Sequence, residues 1–555
     1  MGRKSPKQQQ EQAVLLLAGL AVAAMAIAAV MGWVCAVVAG WVHSGQFPRI
    51  AVSDAVKATL SEEFWSADPA SAYPRDVARS LPGVWGFWST AAIIVTFVAA
   101  LVVAAAREIA ERMAQTVTDR RFYHVFRGRR PQAFGRYRTV KDALVVDAPQ
   151  PERLIVGTIA NPPALVAVRP HAQVCAIAAP HSGTTSGMIV PAVLEHAGPV
   201  VSTAAKSDVV HATLQRRAGM GEIFVWDPFG EQTDSWDPLQ GCERWSHALI
   251  AARWMGHALA LGETESAEYY DEAAQELAAP LLHAAALTAT KTIVDVYGWV
   301  RDRDVQTPAG ILAEAGAEDA CARLRAVYGL NERRKDSIIG AVQVHLKAYG
   351  HPAVARTAKR GQGITPEGLF DGRANTVYVV AAREHQRLLA PLAVTMLSSL
   401  VYYATKYESQ AGRRMSPPAL FALDETAQIA PLQELPQILS VSHEIGIRFV
   451  TVWHSLAQIR QRYGADAAAE ILALSQAKIF LGSITDEATR HELLRLLGKR
   501  GDEYEGPTAQ ALQRLHAGQG LLIHSEQPPL FFTQRRGMVA EREPVVAEPH
   551  AVEAP

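Results

Sequence analysis

The chain has 555 residues, of which 49% are hydrophobic, and its 54 basic residues are nearly balanced by 55 acidic ones. This length allows a membrane anchor and more than one folded unit, whereas the balanced charge excludes binding to nucleic acid through net charge alone. The four cysteines form no CxxC pair, and no group of histidine and carboxylate residues has the spacing of a zinc or two-metal site.

Two apolar segments near the N-terminus are each long enough to cross a lipid bilayer. Residues 12–42 contain no charged side chain, and residues 81–106 form the second segment, whereas a membrane helix needs only about 20 apolar residues. Basic residues in segments 1–11 and 107–146 flank the two spans, and basic flanks are typically cytoplasmic. The sequence therefore predicts a multi-pass plasma-membrane protein with an extracytoplasmic loop at residues 43–80 and a cytoplasmic C-terminal domain.

The juxtamembrane segment 107–146 is rich in arginine, with aromatic residues between the arginines. Charge and stacking would allow this segment to contact nucleic acid. Attraction to anionic membrane lipid beside a membrane helix is the simpler interpretation, and we prefer it.

Residues 147–241 and 350–536 have the pattern of one α/β domain. Short apolar runs followed by helical stretches occur at residues 174–177, 199–203, 222–226, 376–381, 419–423, 448–453, 477–482 and 520–524. Such runs indicate a largely parallel sheet that is buried on both faces. Residues 242–349 have helical periodicity and predict an all-α insertion domain, and the proline- and glutamate-rich tail at 537–555 is predicted to be disordered.

Residues 174–187, VCAIAAPHSGTTSG, have the layout of a phosphate-binding loop between a strand and a helix. A loop of the form GxxxxGK[ST] holds phosphate with backbone N–H groups, while its lysine reaches the β- and γ-phosphates and its hydroxyl binds Mg²⁺. Here Ala178 replaces the first glycine, Gly183 and Thr185 are retained, and Thr184 takes the place of the lysine. The loop alone is a weak signal, because Gly–Thr pairs are common at ordinary strand-to-helix turns.

The segment LFALDET, residues 420–426, places Asp424 and Glu425 at the end of an apolar strand. Ligands bind at the carboxyl ends of the strands in open α/β sheets. In a nucleotide hydrolase Asp424 would support Mg²⁺ and Glu425 would polarise the attacking water. The alternative is that the two carboxylates only cap the following helix.

Together these segments resemble the type IV secretion coupling proteins, which are membrane-anchored conjugative ATPases, and in particular their actinobacterial branch. The resemblance rests on PHSGTTSGMIVPAVLEHAGPVVSTAAKSDVVHATLQRRAG, on FVWDPFG with SWDPLQGCERW, on PPALFALDETAQIAPLQELPQILS, on GIRFVTVWHSLAQIRQRYG and on AKIFLGSITD. It implies a RecA-like P-loop ATPase core that binds ATP with Mg²⁺ and assembles into a homo-oligomeric, hexameric ring. The implied partners are secretion-channel components and a relaxase, single-stranded DNA or a protein substrate.

The resemblance also implies roles for individual residues. The nucleotide-binding turn would consist of Gly183, Thr184, Thr185 and Ser186. The catalytic pair would be Glu425 and Asp424, and Mg²⁺ would be held through the nucleotide by Thr185 and Asp424. His454 falls where the family has a sensor glutamine, and Arg448 is a candidate for an arginine finger that acts on a neighbouring subunit.

Threonine at position 184 removes a charge-assisted phosphate contact worth about 1.5–3 kcal/mol. Lys206, which follows the second predicted strand of the α/β domain, either supplies the missing charge or is an ordinary solvated turn residue. Three hypotheses stay open: a coupling ATPase with reduced or compensated activity, an inactive pseudo-ATPase scaffold that pairs with an intact relative, and a double-stranded DNA translocase of the chromosome-partitioning kind.

Overall fold

The computed structural model describes residues 30–65, 68–100, 103, 137–150, 152–160, 163–257, 265–497, 513 and 515–535. The chain divides into two compact units, Met1–Met113 and Ala114–Pro555. The predicted segment 1–11, the greater part of the first predicted span, most of the arginine-rich segment and the predicted disordered tail lie outside the described residues.

The described part of the N-terminal unit is helical. Its helices are α1 (Val30–Ser44), α2 (Val52–Leu60), α3 (Arg75–Ala78) and α4 (Val84–Ala100), with a 3₁₀ turn at Pro69–Ala72. Phe64 lies in a small aromatic core, where its ring contacts those of Tyr73, Phe87 and Trp88. In contrast, the side chain of Trp85 is 90% exposed. Within the described residues α1 and α4 are shorter than a membrane span, so the two membrane helices stay predictions.

Only one helix among the described residues is long and apolar enough to cross a membrane, and it lies in the C-terminal unit, at Gln386–Gln410. Of its most apolar window, 67% is buried inside the protein. Burial in the core therefore accounts for its composition.

The C-terminal unit is built on one sheet of twelve strands. In chain order the strands are β1 (Val145–Val146), β2 (Ile155–Ala160), β3 (Pro163–Ala167), β4 (Val174–Ala178), β5 (Val200–Ala204), β6 (Ile223–Trp226), β7 (Thr376–Val380), β8 (Ala419–Leu423), β9 (Ile447–Trp453), β10 (Ala477–Leu481), β11 (Gln519–His524) and β12 (Leu530–Thr533). In space their order is β1-β3-β2-β12-β11-β10-β4-β9-β8-β5-β7-β6.

The sheet is mixed, with a parallel half that holds the candidate site. The seven strands from β10 to β6 are parallel to one another, and the five strands from β1 to β11 continue the sheet in antiparallel pairs. All eight strands predicted from the sequence are present. The parallel arrangement is confirmed for seven of them, whereas β11 is antiparallel to β10.

The helices of the C-terminal unit follow. They are α5 (Tyr137–Leu144), α6 (Val190–Glu195), α7 (Asp208–Ala218), α8 (Trp245–His257), α9 (Glu265–Ala286), α10 (Ile293–Asp302), α11 (Gln306–Glu314), α12 (Glu318–Tyr328), α13 (Glu332–Leu346), α14 (Pro352–Ala355), α15 (Pro366–Leu369), α16 (Gln386–Ala411), α17 (Thr426–Ile429), α18 (Leu435–Ile445), α19 (Leu456–Leu474) and α20 (Glu487–Leu496). The long helix α9 packs against α8, α11, α12 and α13. This helical section between β6 and β7 shares one hydrophobic core with the sheet.

The strand order decides where the loops meet. β4 lies between β10 and β9, and β8, β5 and β7 follow on the far side of β9. Every residue of β4, β5, β7, β8 and β9 is buried, as expected for parallel strands that are covered on both faces. Because these five strands run in the same direction, the loops at their carboxyl ends converge on one edge of the sheet.

Candidate nucleotide-binding site

The loop after β4 turns sharply into a helix. His181 and Gly183 have φ values of 63° and 85°, a left-handed conformation that suits glycine and is uncommon for histidine. The helix opens with a π-helical turn, Thr185–Ile189, which continues into α6. The N–H of Gly187 donates to the carbonyl oxygen of Gly183 at 2.8 Å. Such π-helical turns occur frequently at functional sites, and the sequence gives no sign of this one.

A cavity of about 310 Å³ opens at the edge of the sheet, between this loop and the carboxyl ends of the neighbouring strands. Its lining includes the eight residues that the sequence singles out for nucleotide binding, catalysis, Mg²⁺ binding or sensing: Gly183, Thr184, Thr185, Ser186, Lys206, Asp424, Glu425 and His454. The fold thus brings together residues that are far apart in the chain. Shared location does not assign a role, so the roles stay predictions.

A direct hydrogen bond joins the two halves of the site. The hydroxyl of Thr185 donates to Oδ2 of Asp424 at 2.6 Å, and Oδ1 of Asp424 accepts from the N–H of Glu425 at 3.0 Å. The hydroxyl of Thr203, in β5, donates to the carbonyl oxygen of Asp424 at 2.7 Å. Burial raises the pKa of Asp424, although the bond from Thr185 opposes this shift.

The oxygens of Thr185 and Asp424 suit a hard cation such as Mg²⁺. No cluster of three or more histidine, cysteine or carboxylate ligands occurs among the described residues. Mg²⁺ does not require such a cluster, because at phosphate sites it binds one or two protein ligands and completes its coordination with water and phosphate oxygens. The residues present therefore fit Mg²⁺ held together with a nucleotide.

The second carboxylate of the pair is engaged by histidine. Nε2 of His454 lies 2.9 Å from Oε2 of Glu425. The hydrogen bond with His454 lowers the pKa of Glu425, and the same bond raises the pKa of His454 against the opposing effect of burial. Glu425 has a φ of 49°, and Oε1 of Gln458 accepts from the N–H of His454 at 2.9 Å. The Glu425–His454 pair is thus held by local backbone geometry on both sides.

The sequence model of the family described as "Type IV secretory system Conjugative DNA transfer" matches residues 135–513, which is more than half of the chain. This chain belongs to that family. No curated protein sequence matches it.

Solved structures show the same fold as this member of the conjugative DNA-transfer family. The bacterial conjugative coupling protein TrwBdeltaN70, in complex with sulphate, matches with 17% identity and a TM-score of 0.55 over 67% of this chain and 87% of that one. The plasmid coupling protein TrwB in complex with ADP and Mg²⁺ matches with the same values. VirB4 of Thermoanaerobacter pseudethanolicus matches with 13% identity and a TM-score of 0.44, over 70% and 98% of the two chains. At 17% identity the likeness to TrwB concerns the fold alone, and the likeness to VirB4 supports no conclusion.

One prediction for this family member is wrong. Arg448 lies in β9 and is only 2% exposed, and its guanidinium donates to the carbonyl oxygen of Glu152. Burial lowers the pKa of Arg448 to about 10. A side chain that is enclosed in its own subunit cannot act as a finger on a neighbouring one.

Three further residues with charged or imidazole side chains line the cavity and are missed by the sequence analysis: His181, Asp208 and Arg383. Arg383 follows β7, whose neighbour in the sheet is β5. The sequence offers one signal for Arg383, which is a basic residue just after the strand predicted at 376–381. This signal indicates a cavity residue only when the strand order is known, because the order decides which loops face the loop after β4.

Proposed function

We propose that this chain is a membrane-anchored coupling protein that recruits DNA, nucleoprotein or protein substrates and delivers them to a type IV secretion channel. Membership of the conjugative DNA-transfer family supports this class of function. In the proposal, the parallel half of the sheet is a RecA-like ATPase core that binds ATP with Mg²⁺ in the cavity. The observation that carries the nucleotide part is the hydrogen bond of 2.6 Å between Thr185 and Asp424.

Several residues of the cavity have definite tasks in this proposal. Backbone N–H groups at the start of the helix after Gly183 bind phosphate oxygens. Thr185 and Asp424 hold Mg²⁺, which supplies positive charge to the phosphates when it is bound. Glu425 orients and polarises the attacking water. Lys206 supplies part of the charge that a lysine at position 184 would have provided. Structures of the plasmid coupling protein TrwB with ADP and Mg²⁺ and with an ATP analogue support this choice of ligands.

The N-terminal unit is proposed to be the membrane anchor. Among its described residues, large apolar side chains are more than half exposed, including Phe47, Ile93, Val95 and Phe97. Exposed apolar surface of this extent is costly in water but suits contact with lipid. The core domains of several copies are proposed to form a homo-oligomeric, hexameric ring on the cytoplasmic side, where channel components and a relaxase or other substrate would bind.

A pseudo-ATPase is the second candidate, and two observations favour it. Thr184 removes the phosphate-binding charge from the loop, and His454 binds the carboxylate of Glu425 that would activate water. In this reading the cavity binds nucleotide without hydrolysing it, or does not bind nucleotide, and the protein serves as a receptor or scaffold beside an intact coupling ATPase.

Calorimetry on the full-length protein in detergent, with ATP in the presence of Mg²⁺ and then of EDTA, tests the nucleotide site. We expect tighter binding with Mg²⁺, and we expect Thr185→Val to weaken that binding by about tenfold or more, because the variant loses a ligand oxygen. Thr405→Val is the matched control, since Thr405 is exposed on α16 outside the cavity. Absence of ATP binding by the wild type under both conditions would refute the nucleotide part of the proposal.

A second experiment separates the ATPase from the pseudo-ATPase. Thr184→Lys should raise ATP affinity by about tenfold or more and should raise turnover, because it restores a charge-assisted phosphate contact. Thr184→Gln adds comparable length without charge and should change neither quantity. A lysine variant that binds ATP tightly and still shows no turnover would support the pseudo-ATPase.

A further inference from the structure

We infer that Arg383 is a phosphate-binding residue of the nucleotide cavity, which acts with Lys206 to supply the positive charge that Thr184 cannot. The inference deepens the proposed function and rests on it. It assigns a ligand-binding role to a residue that neither the loop motif nor the apolar Asp–Glu strand indicates.

The sheet register places the two cations side by side. β5 and β7 are parallel neighbours, and Ala204 is the partner of Val380. Lys206 follows Ala204 by two positions, and Arg383 follows Val380 by three positions. Both side chains line the same cavity as Thr184. They therefore approach the cavity together, from the strands beyond β8, whereas the lysine of an intact phosphate loop would approach from the loop after β4.

Neither cation forms an ion pair within the part of the chain that the structure describes. The carboxylates that line the cavity bind other groups. Asp208 accepts from the N–H of Val209 at 2.9 Å, Asp424 accepts from Thr185, and Glu425 pairs with His454. Both cations are therefore available to contact an anionic ligand, and Mg²⁺ bound with that ligand would offset the carboxylates that line the same cavity.

The guanidinium of Arg383 suits a phosphate ligand in the cavity that it lines. The planar guanidinium of arginine binds two phosphate oxygens at once, whereas lysine acts as a compact point charge. Arg383 is therefore suited to bridge oxygens of one phosphate, with Lys206 contacting an adjacent one.

The loop that carries Arg383 is fixed by its neighbours before any ligand binds. The N–H of Ala381 donates to the carbonyl oxygen of Ala204 at 3.0 Å, which ties the ends of β5 and β7 together. The ring of His385 stacks on that of Phe229, with centroids 3.6 Å apart and an interplanar angle of 16°. A preorganised loop reduces the entropy that binding has to overcome.

The test measures the affinity of full-length protein, with Mg²⁺ present, for ATP, for adenosine and for inorganic tripolyphosphate. The variants are Arg383→Ala, Arg383→Lys and Lys206→Ala, and the matched control is Arg387→Ala, an exposed arginine in the first turn of α16 that does not line the cavity. We expect Arg383→Ala to weaken ATP and tripolyphosphate by about tenfold or more and to leave adenosine unchanged. Arg383→Lys should recover part of the loss, and Arg387→Ala should match the wild type.

The outcomes distinguish this inference from the proposed function. If Arg383→Ala and Arg387→Ala bind ATP equally well while the wild type binds it with Mg²⁺, the role of Arg383 is refuted and the proposed nucleotide site stands. If the wild type binds tripolyphosphate through Arg383 but does not bind ATP, nucleotide binding in the cavity is refuted and the anion-binding site stands. Wild type that binds neither anion would refute both.

Discussion

Residues 184 and 454 redistribute charge within one cavity. In the proposed nucleotide site Thr184 leaves the loop after β4 without a cation, and His454 brings a group that carries positive charge when protonated to 2.9 Å from Glu425. A cation next to Glu425 stabilises the carboxylate but makes it a weaker base. In the proposed ATPase, both departures from the pattern that the family resemblance implies would therefore act against fast hydrolysis, although they follow different strands.

The Glu425–His454 pair should make stability depend on pH. The pKa of His454 is raised in the folded protein, so its contribution is fully present below the unfolded value of about 6.5 and is lost as pH rises through the folded value. Because the histidine side chain is 37% exposed, solvent screening limits the effect to about 0.5–1 kcal/mol. We expect the wild type to lose this amount of unfolding free energy between about pH 6 and about pH 9.

Urea unfolding of nucleotide-free and Mg²⁺-free protein at the two pH values checks this expectation. His454→Gln should lose the pH-dependent part, whereas His211→Gln, which changes an exposed histidine on α7, should retain it. Equal pH dependence in the wild type and in His454→Gln would contradict the assignment.

At the scale of elements, the sequence predicts the seven parallel strands and β11 and misses β1, β2, β3 and β12. β4 and β8 are continuous apolar runs, since both faces of each strand are covered. β2 is interrupted by Gly157 and Thr158, and β3 begins at Pro163, a residue type that argues against a strand inside a sheet. β2 and β12 also pair with each other, although they lie near opposite ends of the C-terminal unit in sequence. Local sequence patterns carry no information on partners that are so far apart in the chain.

The same physics limits the prediction of the site. Thr185 and Asp424 were found because each lies in a local motif with a known mechanism. Arg383 has no motif of its own, and only the pairing of β5 with β7 reveals that it faces the cavity. The sequence likewise does not predict the burial of Arg448. Its position in a strand does not show whether another element of the fold covers its side chain.

Close packing between β2 and β12 gives a test at this scale. A Cβ atom at Gly157 would collide with the ring of Phe532 and with the backbone oxygen of Thr533. Overpacking of this kind costs about 1–3 kcal/mol, so Gly157→Ala should lower the unfolding free energy by about that amount. The control is Gly340→Ala in α13, where no atom lies within 4 Å of the added methyl group and alanine should stabilise the helix by about 0.5–1 kcal/mol. Chemical unfolding should show that the unfolding free energy falls in Gly157→Ala and rises in Gly340→Ala. An unchanged unfolding free energy in Gly157→Ala would contradict the close approach of β2 and β12.

At the scale of the whole molecule, the two units differ in the surface they expose. The N-terminal unit exposes Trp85 and Phe97, while the C-terminal unit encloses its most apolar helix in a large core. This difference matches a division of labour between an anchor and a catalytic or substrate-binding body.

Removal of residues 1–113 tests that division. We expect the full-length chain to sediment with membranes and to resist extraction with high salt, because apolar segments and not charges would hold it there. The truncated chain should become extractable and should keep its affinity for ATP with Mg²⁺. Deletion of residues 1–11 alone is the control and should leave membrane association intact. Salt-extractable full-length protein would refute the anchor.

The position of β4 in the sheet also decides when the proposed site can form during synthesis on the ribosome. β4 is made early, yet its neighbours β9 and β10 come from residues 447–453 and 477–481, and the side chain that contacts Gly187 belongs to Gln534. Until those segments emerge, the nascent polypeptide carries an apolar strand with two open edges, which is prone to aggregation. Nucleotide bound at the proposed site would therefore not assist the early stages of synthesis, and we expect the nascent chain to depend on chaperones until translation is nearly complete.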